Sequence, residues 1–274
     1  MRPAHSDTQD PAARATGAEP RPAPRRGRGK QPGPTVVVLV RHGATTTTGH
    51  ELPGRAPGLH LSDQGREQAE RVAGRIAAMA GVAPPPSPTV NGPERANGDE
   101  PPKPARTRRR KAVPGPSITA VYASPLDRTR ETAAPIAAGL GLDVLIDDGL
   151  VELDVGDWTG IELKAARKRK EWATIQRYPS GFTFPGGESF VTMQARIVDT
   201  VARLRAAHPG ETVVAVSHAD PIRAAVAHAM GTHLDLFQRI VVSPCSVTAI
   251  AYGDEGPTVL TVNDTSASGS LVPS

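Results

Sequence analysis

The ten residues Val36–Thr45, VVVLVRHGAT, constrain this chain more than any other stretch. Five consecutive apolar residues, Val36–Val40, read as a strand buried on both faces, the kind found in parallel sheets covered by helices. The run stops at Arg41-His42-Gly43, where glycine permits a tight turn and a close approach of the backbone to a ligand. An arginine and a histidine therefore stand at the carboxyl end of a strand, where open α/β sheets bind ligands. Arginine is shaped to hold phosphate, and neutral histidine can serve as a nucleophile. The placement points to His42 attacking phosphorus, with its side chain facing the surface.

Strands and helices alternate after this point. Ser62–Ala80 opens on a Ser-Asp cap and carries Val72, Ile76 and Met79 at helical spacing. Ile118–Tyr122 reads as a second strand, and Ser124-Pro125 as cap and first residue of the next helix. Val144–Ile146 is a third strand, and Glu162–Gln176 reads as one charged, exposed helix. Gly187-Glu188-Ser189 leads into a helix to about Ala207. Thr212–Val216 is another buried strand and Asp220–Met230 another helix. Ser246–Tyr252 and Val259–Val262 form a closing hairpin around Gly253–Gly256. The expected fold is α/β, a three-layer α/β/α sandwich with a mostly parallel central sheet.

Two segments break this pattern. Residues 1–34 hold seven Lys/Arg against three Asp/Glu, and residues 83–117 hold the same numbers. Together they contribute twice the whole chain's net charge of +4, so the remainder is acidic by four. They also carry 17 of the 28 prolines and almost no aliphatic pattern, too little apolar surface to offset the entropy of ordering. The expectation is a disordered basic tail over 1–34, a domain over 35–265 interrupted by a disordered insertion over 83–117, and a flexible end over 266–274. The run Arg106–Lys111 could meet nucleic acid, but no aromatic side chains are interleaved for base stacking, and a solvated loop is the simpler reading. No apolar run is long enough to span a bilayer, no signal-peptide core is seen, and the single Cys245 rules out an internal disulfide. The expected compartment is the cytoplasm, with no membrane partner.

Four chemical elements follow strand ends: Arg41-His42-Gly43, Arg128 early in the helix after the second strand, Glu152 after the third, and Ser217-His218-Ala219 before a helix. Ends of strands in one parallel sheet converge in space. Two arginines, a second histidine and a helix N-terminus could hold phosphoryl oxygens, one histidine could attack, and a carboxylic acid could protonate the leaving oxygen. The scheme needs no metal and no cofactor. The arginines should keep His42 neutral. The same surroundings should lower the pKa of Glu152, leaving the arriving phosphate dianion to raise it.

These motifs resemble the histidine phosphatase superfamily, in its phosphoglycerate-mutase-like branch. The matching stretches are Leu39-Val-Arg-His-Gly43, Leu61–Ala69, Ser124-Pro-Leu-Asp-Arg128 with Thr132-Ala133, Glu152 with Gly156-Asp-Trp-Thr-Gly160, and Val216-Ser-His218. Gly54–Gly58, Phe184–Ser189 and Leu234–Ile240 further resemble an actinobacterial group of phosphatases or phosphomutases. The resemblance implies that His42 forms a phosphohistidine, that Arg41, Arg128 and His218 form the phosphate pocket, and that Glu152 donates the proton. The family often has asparagine where Thr48 stands, and glycine where Ala219 stands. Thr48, Arg55 and Glu188 are candidate substrate-side residues. Arg130 and Glu131 read as exposed helix residues, and Trp158 as a core or rim aromatic.

The expected function is a metal-independent phosphomonoester hydrolase acting on a small phosphorylated metabolite. A phosphomutase is the first alternative. The family's glycolytic mutases carry a Glu-Arg-His-Tyr-Gly segment after the acid, and residues 161–185 contain nothing like it. A phosphate-binding scaffold is the second alternative, disfavoured because His42 and Glu152 are both present. Neither the substrate nor the oligomeric state is legible in the residues.

Overall fold

The computed structural model describes residues 33–82 and 117–266. The expectations for the basic tail, nearly all of the insertion and the C-terminal end therefore fall outside the described residues. No described helix is long and apolar enough to cross a membrane.

In chain order the elements are β1 (Thr35–Arg41), β2 (Glu51–Leu52), α1 (Asp63–Met79), β3 (Ile118–Ala123), α2 (Asp127–Leu140), β4 (Val144–Ile146), β5 (Ile161–Glu162), α3 (Leu163–Ala166), α4 (Trp172–Arg177), α5 (Phe190–Ala207), β6 (Thr212–Ser217), α6 (Ala219–Ala229), β7 (Val247–Gly253) and β8 (Gly256–Asp264). Six strands form one sheet in the order β4-β3-β6-β1-β7-β8. The first four are parallel; β7 pairs antiparallel with β1, and β8 antiparallel with β7, to complete the sheet.

The apolar run of β1 is central and covered twice. Val37 and Leu39 pack into one core with Ile197 of α5 and Ile222 of α6. Val38 and Val40 point into the other, with Val72 and Ile76 of α1 and Ile136 of α2. Side chains alternate faces along a strand, so an unbroken apolar run needs a helix layer on each side. The fold is the α/β/α sandwich expected.

The register then sets the site. Arg41 pairs with Ser217 across β1 and β6, and Ala123 of β3 pairs with Val216. His42, Ser124 and His218 consequently leave the sheet at one edge. Backbone bonds extend the match past the strands: His42 N–H donates to Ser217 O at 3.0 Å, and Ser124 N–H to Val216 O at 3.1 Å.

Three local expectations are corrected. The cap of α2 is Leu126, without a side-chain bond, so Ser124-Pro125 lies outside the helix. The Ser124 hydroxyl instead lies 2.8 Å from His218 Nε2. The single helix expected over Glu162–Gln176 is two short ones, α3 and α4. Four consecutive cations, Arg167–Lys170, interrupt them, and Arg169 lies 4.6 Å over the Trp158 ring. Cation–π attraction and like-charge repulsion both oppose continuing the helix there. The closing hairpin turns at Gly253–Gly256 as expected, with Asp254 and Glu255 between the strands, but β8 starts at Gly256 and runs to Asp264, longer than the expected Val259–Val262.

Candidate active site

His42 follows β1 directly, and its neighbour explains the glycine. A Cβ on Gly43 would lie 2.5 Å from the Gly65 carbonyl oxygen of α1. Gly43 is therefore required by the close approach of helix α1, and its N–H donates to Thr132 Oγ1 of α2 at 3.0 Å. The His42 side chain is 6 % exposed, so the surface-facing expectation is corrected. Its Nδ1 lies 2.7 Å from the Gly43 carbonyl oxygen. A carbonyl only accepts, so Nδ1 carries the proton and Nε2 keeps its lone pair. Burial pushes the imidazole pKa down to about 3, with Arg128 and Arg41 adding to the effect. The arginines act in the expected direction, but desolvation is the larger cause.

Two arginines and a second, neutral histidine lie close to this ring. Arg41 is partly buried and donates from Nη1 to Val242 O at 2.7 Å. Arg128 is 1 % exposed and donates from Nη2 to Gly54 O at 2.8 Å. His218, fully buried, caps α6, and its ring centroid lies 5.1 Å from that of His42. Its pKa is driven well down, first by burial and then by His42 and the arginines. Arg41 Nε, Arg128 Nε and Nη1, and His218 Nδ1 are buried without a hydrogen-bond partner. Buried polar groups are nearly always paired, because leaving one unpaired costs about 1–3 kcal/mol. Orphaned nitrogens on three residues around one histidine, beside a helix N-terminus, fit an anion with several oxygens.

Glu152 stands in an irregular segment between β4 and β5. Its carboxylate accepts from Leu153 N–H at 2.8 Å. Its pKa is raised to about 7, by burial first and by the Asp220 carboxylate second, against the pull of Arg128 and Arg41. This corrects the expectation that phosphate must arrive before the acid can hold its proton.

The backbone around Glu152 is held by side chains. Arg196 of α5 donates to the carbonyl oxygens of Gly149, Val151 and Glu152 at 2.9, 2.7 and 3.3 Å. Arg55 Nε donates to Glu152 O at 2.9 Å. Glu188 accepts from Arg55 at 2.8 Å, from Arg196 at 2.6 Å and from Asp154 N–H at 3.0 Å. Arg55 and Glu188, expected on the substrate side, thus commit these polar atoms to each other and to the Glu152 segment. Thr48 likewise bonds through its hydroxyl to Thr45 N–H at 2.9 Å and Thr45 Oγ1 at 3.0 Å. Glu131 pairs with His60 and accepts from Leu61 N–H, so it ties the 59–61 loop to α2. Trp158 is core, edge-on to Phe182 and Phe184.

Sequence reasoning missed Ser124, Arg196 and Asp220. Arg196 gives no local signal, since an arginine within an amphipathic helix looks solvated. Asp220 had one, an acid two residues after His218 at a helix start. Among the described residues, no group of three or more His, Cys, Asp or Glu could hold a metal ion.

The family model described as histidine phosphatase superfamily (branch 1) matches residues 37–88 and 107–265. A bifunctional protein of Mycobacterium tuberculosis is 29 % identical over 234 residues, which cover 85 % of this chain and 54 % of that protein. The chain thus spans about half the length of that relative. Phosphoserine phosphatase 1 of Hydrogenobacter thermophilus is 29 % identical over 150 residues, 54 % of this chain and 71 % of its own. The solved structure of mycobacterial glucosyl-3-phosphoglycerate phosphatase matches with a TM-score of 0.64 at 22 % identity, covering 85 % of this chain and all of that one, a likeness of fold. The family match runs from β1 to the end of β8 and takes in every residue of the cluster around His42, and on that extent this chain belongs to the histidine phosphatase superfamily.

Proposed function

We propose that this chain hydrolyses phosphate monoesters of small cytoplasmic metabolites through a phosphohistidine on His42. The observation that carries the reading is the state of that ring. It is neutral, its Nδ1 proton is bound to Gly43 O, Nε2 keeps its lone pair, and Arg41, Arg128 and His218, whose charges or ring lie close to it, each carry a buried nitrogen without a partner. The Nε2 lone pair forms the N–P bond as the P–O bond to the alcohol breaks. Glu152, protonated because burial and Asp220 hold its pKa up, gives its proton to the departing oxygen. Arg41, Arg128, His218 and the N-terminus of α6 hold the three phosphoryl oxygens and offset their charge. Water then attacks phosphorus, the Glu152 carboxylate takes its proton, the N–P bond breaks, and inorganic phosphate leaves. The names of the two phosphatase relatives support ester hydrolysis as the class of reaction.

A screen of phosphorylated metabolites in the presence of EDTA tests the proposal. Release of inorganic phosphate from one or more of them is expected at a rate the chelator does not change. Loss of turnover in EDTA that Mg²⁺ restores would overturn the metal-independent scheme. A phosphoryl group returned to another hydroxyl of the substrate would replace hydrolase by mutase.

A further inference from the structure

A cavity of about 420 Å³ lies beside the Arg41 backbone, and the reaction above does not use it. Arg71, Val72 and Arg75 of α1 form one wall, and Ser243, Pro244 and Cys245, from the loop leading into β7, form another. The volume is within the range of small-molecule sites, about 300–1,000 Å³. The wall chemistry is specific. Arg71 and Arg75 stand one helical turn apart on the same face. The Arg71 side chain is well exposed, with only a 3.6 Å pairing to Glu67. The Arg75 side chain is 9 % exposed and holds Asp264 at 2.8 Å, yet its Nε is buried with no partner. Val72 and Pro244 supply apolar surface next to these cations. Such a wall suits a small organic anion with an apolar body.

The same loop grips Arg41. Val242 O accepts from Arg41 Nη1 at 2.7 Å, Cys245 N–H donates to Arg41 O at 3.0 Å, and Ser246 O accepts from Arg41 N–H at 3.4 Å. Between these contacts Cys245 adopts φ 54°, a left-handed conformation that a non-glycine residue keeps only when its surroundings enforce it. The Cys245 thiol lies within the fields of Arg41, Arg71 and Arg75 together. A charge placed at the second and third is therefore felt near the first.

We propose that this cavity is a second anion site, that it takes a small organic anion through Arg71 and Arg75, and that its occupancy weakens anion binding at Arg41. Added negative charge reduces the positive field that Arg41 contributes to, and a body in the cavity presses on the loop that holds Arg41. The coupling rests on the reading of Arg41 as part of the phosphate pocket. The site itself does not.

The probe is 4-(trifluoromethyl)benzoate, followed by ¹⁹F NMR on the full chain, with vanadate as the phosphate-pocket ligand. Saturable benzoate binding is expected while vanadate is saturating. Saturating benzoate should weaken vanadate binding roughly two- to tenfold, and vanadate should weaken benzoate by the same factor, as linkage requires. Arg71→Glu, at an exposed position, should cost benzoate about tenfold in affinity and should weaken vanadate only modestly, through the reversed charge alone. Arg75→Lys keeps a cation for Asp264 but removes Nε, and should weaken benzoate to a lesser degree. Complete displacement of benzoate by vanadate would mean one shared site and would overturn the proposal. So would equal benzoate affinity in wild type and Arg71→Glu. Unchanged vanadate affinity at saturating benzoate would overturn the coupling. Arg71-dependent benzoate binding in a protein that binds no vanadate would instead count against the phosphate-pocket reading.

Discussion

The two halves of the site are built by different means. The phosphate half, His42 with Arg41, Arg128 and His218, sits on regular elements. Its positions follow from the register of β1, β6 and β3 and from the first turn of α2. The acid half has no strand or α-helix beneath it. Glu152 lies between two short 3₁₀ turns, Asp148–Leu150 and Gly156–Trp158. Carbonyls of an irregular segment still need donors, and here two distant arginines supply them. The first half is placed by backbone pairing spread over many residues. The second is placed by a few side chains, so it should be the half that single substitutions can dislodge.

The largest effect should come from the phosphate half, by removing the nucleophile. His42→Ala should lower turnover by at least about 10⁴-fold on every ester, whatever its leaving group. Circular dichroism should report a folded chain, since the sheet register does not depend on this ring. Brief incubation with a ³²P-labelled ester should leave acid-labile label on wild type and none on the variant. Acid-stable label, or turnover that survives, would remove His42 from its role.

Glu152→Gln should separate the halves. An alkyl phosphate leaves as a strongly basic alkoxide and needs the proton, whereas p-nitrophenolate leaves unaided. The variant should lose about 10²–10⁴-fold on alkyl esters and much less on p-nitrophenyl phosphate. Equal losses on both would make Glu152 structural, and Asp154, whose carboxylate accepts from Gly156 N–H, would be the next donor to test.

Arg196→Ala tests whether the acid half depends on its supports. Without it, three carbonyl oxygens lose a donor and Glu188 loses a cation. A displacement of the acid by about 1 Å can cost about 10²-fold, so alkyl esters should slow by roughly 10–100-fold. The aryl ester should slow far less. Arg196→Lys should not rescue, because an ammonium cannot span these acceptors as a planar guanidinium does. Parallel loss on both substrates would mean that Arg196 maintains the fold and nothing more.

The same division explains what the residues revealed. Arg41-His42-Gly43 and Ser217-His218 were legible because each follows an apolar run that can only be a buried strand, and ends of parallel strands meet. Arg128 and Glu152 were legible from family motifs and from following strands. The supports of Glu152 were not, because Arg55, Glu188 and Arg196 are far apart in sequence and each has an ordinary local role. Arg55 looked like a loop cation, Glu188 a helix-start charge, Arg196 a helix-face cation. Burial of His42 was hidden as well. It depends on α1 packing its Gly65 backbone against the 43–44 backbone, a contact between two glycine-bearing segments that no periodicity signals.

The smallest effect should be a shift along the pH axis. Glu152 is pressed by Asp220, which sits in the first turn of α6 beside the phosphate half and pairs with Arg223 at 2.9 Å. The acid works only while protonated, so with an alkyl ester kcat/KM should fall as pH rises through about 7, where free Glu152 ionises. Removing the Asp220 charge takes away one of the two influences that raise this pKa, while Arg128 and Arg41 still lower it. Asp220→Asn should therefore move the descending limb to lower pH. At pH 7.5 the variant should lose about two- to fivefold on the alkyl ester, and at pH 5.5 almost nothing. With p-nitrophenyl phosphate, which does not need the acid, Asp220→Asn should leave the profile unchanged, and in Glu152→Gln the descending limb of the alkyl ester should vanish. A limb that stays in place in Asp220→Asn, or moves upward, would mean that burial alone sets the acid and that the two halves are electrostatically independent.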